Sequence, residues 1–147
     1  MIKGIIVMAL LIIIDQIAKV LTVSYISVGQ SPIVIIPNIL EFLHIKNDSA
    51  AWGMFGSVQW LFLPITIVAL GVFGYLYYKA EYKKQRIYTS ALILLIAGTL
   101  GNAIDRLIYP GNNGFFSGYV IDTFRIPFFD YILGGYNFIF NIADLLL

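Results

Sequence analysis

Cysteine is absent from this chain, and histidine occurs once, at His44. The first absence excludes a disulfide framework, a thiol nucleophile and a thiolate-ligated metal. The second leaves a zinc site without its usual ligands. Charge is also scarce: 12% of the 147 residues are charged and 60% are hydrophobic, whereas a soluble domain carries about 25% charged residues. The composition is that of a membrane protein. A net charge of +1, with no basic run interleaved with aromatics, gives no footing for a nucleic-acid partner. Repeats and low-complexity tracts are missing, so residues 1–147 read as one domain.

What is present is long apolar sequence. Residues 4–23 open with the uncharged "GIIVMALLIII", residues 60–78 carry no charge, and neither do residues 87–104. Each span reaches the roughly 20 residues a membrane-crossing helix needs. Asp15 and Lys19 interrupt the first where a signal-peptide cleavage site would fall, so it is kept as a helix. With a fourth helix returning from the far side, the expected spans are about 4–23, 58–78, 87–108 and 137 onward.

The connection "KAEYKKQR", residues 79–86, holds Lys79, Lys83, Lys84 and Arg86, which assigns it to the cytoplasm by the positive-inside rule. Segments 24–57 and 109–136 are then extracytoplasmic. At about 1.5 Å of rise per residue, Asp15 stands about 18 Å above Lys3, Lys19 about 24 Å, and Asp105 about 28 Å above Arg86. Asn141 and Asp144 fall in the first turns of a helix entering from outside. The intramembrane polar groups therefore collect near the outer face.

Their spacings give each helix one polar edge. Asp15 and Lys19 are i, i+4; so are Asn102 and Arg106, with Asp105 between them; Asn141 and Asp144 are i, i+3. Gly98 and Gly101 allow close backbone approach. For Asp15 with Lys19, and for Asp105 with Arg106, the preferred reading is structural: sequence neighbours of opposite sign that hold the bundle together. Asp144 has no basic neighbour in sequence.

Among the outer segments, residues 31–47 carry two short β-rich runs around "PN", a hairpin or small cradle above the membrane. "NDSAAWGMFG", residues 47–56, is a small-residue loop entering the interface, with Trp52 as its anchor. His44 reads as a strand residue without chemistry. Residues 109–124 make a turn-rich excursion ending in an apolar, strand-like piece that carries Asp122.

"DQIAK" (15–19), "NDSAAWG" (47–53), "GTLGNAIDR" (98–106), "GYVIDTF" (118–124) and "FNIAD" (140–144) resemble, in order, the five motifs of the lipoprotein signal peptidase (signal peptidase II) family. Any one of them is weak; five in order, spanning nearly the whole chain, are specific. The resemblance implies an all-α membrane fold, four transmembrane helices with a small extracytoplasmic β-cradle, in the inner (cytoplasmic) membrane of a bacterium with its active site near the outer face. It implies an aspartyl endopeptidase that removes the signal peptide of a diacylglyceryl-modified prolipoprotein just before the lipidated cysteine. The family's catalytic pair falls on Asp122 and Asp144. Substrate-binding or site-shaping roles fall on Asp15, Lys19, Asn47, Gly98, Asn102, Asp105, Arg106, Asn141 and Ala143. No cofactor is implied; membrane lipid and a globomycin-type inhibitor are the other expected partners.

Three positions depart from the family pattern. Ser49 stands where Gly is usual, Thr123 follows Asp122 where an aromatic is common, and "YPGNNGFF" looks inserted, leaving 16 residues between Asp105 and Asp122. That insertion keeps Asp105 open as an alternative partner of Asp144.

The chemistry can also be argued from residue types. Peptide hydrolysis without metal, thiol or a Ser/His pair is performed by two carboxylates sharing a proton, one activating water as base, the other acting as acid on the scissile carbonyl. Asn47 and Asn141 are placed to bind substrate backbone, while Lys19 and Arg106 organise the base of the site or meet lipid phosphate. The competing class is a small proton- or ion-coupled transporter using the Asp, Lys and Arg cluster; it would show polar groups through the cytoplasmic half, or internal repeats. A structural membrane subunit explains the clustering poorly. Because only three residues follow Asp144, and roughly 14 more would be needed to cross about 20 Å, the sequence suggests that the rest of helix four lies outside it, or that residues 126–147 form a re-entrant piece.

Overall fold

The computed structural model describes residues 2–48, 61–111, 118–132, 134–135 and 137–147. Helix α1 (Ile2–Tyr25) leads into strands β1 (Ile33–Ile36) and β2 (Leu40–Asn47), then α2 (Phe62–Lys79) and α3 (Arg86–Ile108). Strand β3 (Val120–Arg125), the short helix α4 (Pro127–Ile132), strand β4 (Ile139–Phe140) and helix α5 (Ile142–Leu146) follow.

Helices α1, α2 and α3 are each long and apolar enough to cross a membrane. Their packing is that of a protein solvated by lipid. In α1 the buried residues are Met8, Asp15, Lys19 and Thr22, whereas Ile5, Ile6, Leu10, Ile13, Ile14 and Ile17 are exposed. An apolar outer surface costs nothing in hydrocarbon, and the polar side chains turn inward where partners exist. Toward the loop that joins α2 to α3 the interior is apolar, built from Met8, Tyr77, Leu92, Ile93, Ile96 and Ala97. Toward the sheet it becomes polar.

The sheet has four antiparallel strands in the order β1-β2-β3-β4, so the fold is predominantly helical rather than all-α. The hairpin read from residues 31–47 is its first half; it turns through Asn38, whose φ of 61° is one that Asn tolerates without a Gly. Strand β3, read from the apolar piece around Asp122, pairs with β2 so that Ile45 faces Asp122 and Phe42 faces Phe124. A bulge between Phe42 and Ile45 adds a residue to β2, and both Leu43 and His44 are buried there. His44 Nδ1 donates to the Ile26 carbonyl at 2.8 Å, tying the strand to the end of α1.

The last helix begins later than its composition suggests. Residues 137 onward are apolar enough to continue a helix, yet Phe140 pairs with Phe124 in β4 and the helix starts only at Ile142. Asn141 caps it, and a side-chain cap outcompetes helical extension at that position. Helix α4 starts on Pro127, which suits a first helical position. It is held by Asp130, which accepts from Arg125 Nη2 at 2.7 Å and from Phe138 N at 2.6 Å. Trp52, Ser49 and the tip of the 109–118 excursion lie outside the described residues.

Candidate active site

The polar side chains at the sheet end of the helices form two connected layers. The deeper layer is centred on Lys19, 1% exposed. Its ammonium lies 2.9 Å from Asp15 Oδ2 on its own helix and 2.8 Å from Asp105 Oδ2 on α3. Gln16 Nε2 donates to Asp105 Oδ1 at 3.0 Å and to the Gly101 carbonyl at 3.1 Å. The remaining capacity of both carboxylates is used on backbone: Asp105 Oδ2 accepts from Ile121 N at 3.0 Å, and Asp15 Oδ1 from Ala143 N at 2.8 Å. Buried charges need this degree of satisfaction, because an unpaired carboxylate would cost several kcal/mol. These bonds fix β3 and α5 against α1 and α3.

The expected pairing of Asp105 with its sequence neighbour Arg106 does not occur. Side chains at i and i+1 leave a helix about 100° apart, so Asp105 turns inward to Lys19 while Arg106 lies elsewhere. Arg106 Nη1 reaches the Asn102 carbonyl at 3.5 Å, and its guanidinium sits 5.3 Å from the centroid of the Phe62 ring.

The upper layer holds Asp122 and Asp144. Asp122, on β3, is buried; its Oδ2 accepts from Asn47 Nδ2 at 2.8 Å and its Oδ1 from Asn141 Nδ2 at 2.9 Å. Asp144 is exposed, and its Oδ1 accepts from Asn102 Nδ2 at 2.8 Å. Asn102 joins the layers, since its Oδ1 accepts from Lys19 Nζ at 3.1 Å and from Asn141 Nδ2 at 3.1 Å. A carboxamide that accepts twice at oxygen while donating to a carboxylate has only one orientation, so Lys19 sets which way Asn102 points. Burial, and next the charge of Asp144, push the Asp122 carboxyl up to about 7, against the lowering effect of the Asn47 and Asn141 hydrogen bonds and of Lys19. At neutral pH this carboxyl is thus partly protonated.

Small residues allow the approach. A Cβ on Gly98 would lie 2.5 Å from the Ala143 carbonyl oxygen, and one on Gly101 would lie 2.8 Å from Asp15 Oδ2 and 3.0 Å from Ala143 Cβ. Ala143 itself has no exposed surface. Anything larger at these three positions would lift α5, and Asp144 with it, off α3.

The structure therefore brings Asp15, Lys19, Asn47, Gly98, Asn102, Asp105, Asp122, Asn141, Ala143 and Asp144 into one region, with Arg106 at its edge. Gln16 was missed as a site residue although it sits between Asp15 and Lys19; its signal was adjacency, but its partners on α3 are 85 and 89 residues away. Thr22 and Thr123, whose hydroxyls lie 3.1 Å apart, were missed too, having no sequence pattern in common. Among the described residues no three His, Asp or Glu side chains are arranged to hold a metal ion.

Residues 7–147 match the family Signal peptidase (SPase) II. The chain is 41% identical over 140 residues to the lipoprotein signal peptidase of Latilactobacillus sakei, covering 95% of this chain and 82% of that protein. It is 40% identical over 136 residues to that of Lactococcus lactis subsp. cremoris, covering 92% and 79%. A bacterial membrane enzyme solved by the in meso method at 2.3 Å superposes with a TM-score of 0.80 at 31% identity, over 99% of this chain and 80% of that one. With its motifs, its fold and nearly its whole length matched, this chain belongs to the signal peptidase II family.

Proposed function

We propose that this chain is an intramembrane aspartyl endopeptidase that cleaves the signal peptide of a lipid-modified bacterial prolipoprotein immediately before the lipidated cysteine, with Asp122 and Asp144 as its catalytic pair. The observation that carries the assignment is the contrast between the two acids. Asp122 is buried and holds its proton to about pH 7, whereas Asp144 is exposed and oriented by Asn102. Asp144 as carboxylate takes a proton from water; the water oxygen attacks the scissile carbonyl carbon while Asp122 gives its proton to the carbonyl oxygen. Collapse of the resulting gem-diol returns a proton from that hydroxyl to Asp122, and Asp144 protonates the departing amine as the C–N bond breaks. Asn47 and Asn141 position the acid, Asn102 positions the base, and the Lys19 layer is the rigid floor under both.

The same reading puts the sheet and the acids at the outer face of the inner membrane, and the basic loop 79–86 in the cytoplasm. It counts α5, seated against α3, as the fourth helix of the bundle. The scissile bond of a lipid-anchored substrate would then meet the acids at the depth of the headgroups, and a globomycin-type inhibitor would occupy the same cleft. A relay for ions across the membrane would need charged side chains along the inner half, where the described core is Met8, Tyr77, Leu92, Ile93, Ile96 and Ala97; this favours the peptidase.

Incubating the purified protein with a diacylglyceryl-modified precursor and with its unmodified twin tests the reading. Cleavage of the first alone is expected; cleavage of neither, by folded protein, would refute it.

A further inference from the structure

At the ends that carry the 79–86 loop, α1 packs on α2 and α3 where Gly4 meets Tyr77 and Ile93, but the three helices do not fill all the space between them. They leave a cavity of about 390 Å³ whose lining includes Lys3, Val7, Tyr77, Tyr82, Ser90 and Ile93. This size falls within the range of small-molecule sites, roughly 300–1,000 Å³. The cavity lies at the opposite end of the helices from Asp122 and Asp144 and shares no residue with their site. Its wall is mixed: Val7 and Ile93 are apolar, Tyr82 and Ser90 bring hydroxyls and are exposed, and Lys3 stands at the edge as an exposed cation with no ion pair among the described residues.

Charge identifies the occupant. At this end the chain carries five basic residues, Lys3, Lys79, Lys83, Lys84 and Arg86, against one acid, Glu81; the other end carries four, Lys19, Lys46, Arg106 and Arg125, against seven acids. Glu81 is engaged by Lys84 at 2.8 Å, and Lys79 lies over the rings of Tyr75 and Tyr78. Lys3 is the cation at the mouth of a cavity that has apolar walls and lies within an apolar bundle. A ligand matching this must pair an anionic head with a hydrocarbon chain, and basic pockets between membrane helices on the cytoplasmic side suit the headgroups of acidic lipids.

We propose that this cavity binds one anionic phospholipid of the inner leaflet, its phosphate on Lys3 with the Ser90 and Tyr82 hydroxyls in reach, and the start of one acyl chain along Val7 and Ile93. The lipid would fill the wedge between α1 and the α2–α3 hairpin, completing the packing of the end of the bundle remote from catalysis.

Native mass spectrometry of the full chain in detergent, titrated with phosphatidylglycerol or phosphatidylcholine, tests this. Phosphatidylglycerol is expected to be retained in preference to the zwitterionic lipid. Lys3→Gln, at an exposed position, should weaken it roughly fivefold, the worth of one basic residue at a lipid surface. Ser90→Phe leaves every charge in place and fills the cavity, and should displace the lipid. Equal retention of the two lipids, or phosphatidylglycerol binding unchanged in either variant, would overturn the site. Because the readout is lipid occupancy, it stands or falls separately from peptide cleavage.

Discussion

Asn141 and Asp144 cap one another: Asp144 N donates to Asn141 Oδ1 at 2.9 Å, and Asn141 N donates to Asp144 Oδ2 at 3.0 Å. This reciprocal box satisfies two of the backbone donors that a helix start leaves open. It also explains how a carboxylate is tolerated between apolar residues. The helix start holds one oxygen of Asp144, Asn102 holds the other, and the second side-chain nitrogen bond of Asn141 goes to Asp122. Local helix chemistry and the geometry of the proposed pair are the same set of bonds.

Asp122→Asn and Asp144→Asn should each reduce cleavage of a lipid-modified precursor by about 10²- to 10⁴-fold or more, the range of general acid–base catalysis. Groups acting as a unit do not add, so the double variant should be little worse than either single one. Single-turnover assays on folded protein decide this. Near-normal turnover by Asp122→Asn would transfer the role to another acid.

Activity should fall above about pH 7. The Asp122 carboxyl, pushed up to about 7 by burial and by Asp144, must carry a proton to act as acid, so kcat/KM should drop toward tenfold per pH unit on the alkaline side. The Asn47 hydrogen bond lowers that value, and Asn47→Ala should therefore move the limb to higher pH. The same group links to folding: its carboxyl value is above the ordinary 3.8 in the folded chain, so its contribution to stability is complete below that value and is lost as pH rises to about 7. A pH–rate profile flat to pH 9 would contradict the assignment.

Asp105→Asn and Lys19→Met should act on stability before chemistry. Lys19 is shared by two buried carboxylates, and removing one partner of a buried pair costs about 3–5 kcal/mol. Thermal unfolding in detergent should show a large loss for both variants. A well-folded but inactive Asp105→Asn would instead place Asp105 in the catalytic step.

Gly98→Ala places a methyl group 2.5 Å from the Ala143 carbonyl oxygen. That contact is with backbone, so α5 must shift, at a cost of about 1–3 kcal/mol, and Asp144 shifts with it. Activity should fall more than stability does. Unchanged kcat in Gly98→Ala would show that α5 has room the structure does not provide.

The native chain has no cysteine, so single cysteines report topology cleanly. In intact cells Lys83→Cys should resist a membrane-impermeant thiol reagent, and Asn112→Cys should react. The reverse pattern would invert the orientation, and with it the leaflet proposed for the lipid.

The sequence alone determined the membrane setting, three of the spans and the motif set, because each is carried by residues close together in the chain: apolar runs of helical length, a basic loop, and polar pairs three or four residues apart. The hairpin around Asn38 was legible for the same reason, as was the gathering of acids near one face, which needs only helical rise and orientation. Tertiary structure decided the partners. Asp105 could have paired with Arg106 beside it, but the direction in which each leaves α3 gives Asp105 to Lys19 on α1. Phe140 could have been helical, but pairing with Phe124 and the Asn141 cap delay the helix to Ile142. Asn102 was legible as a polar residue on α3; that it joins Lys19, Asn141 and Asp144 was not, because its orientation depends on bonds to residues 83, 39 and 42 positions away. Local spacing tells which residues share a face, whereas the satisfaction of a buried charge depends on whatever the other helices bring to it.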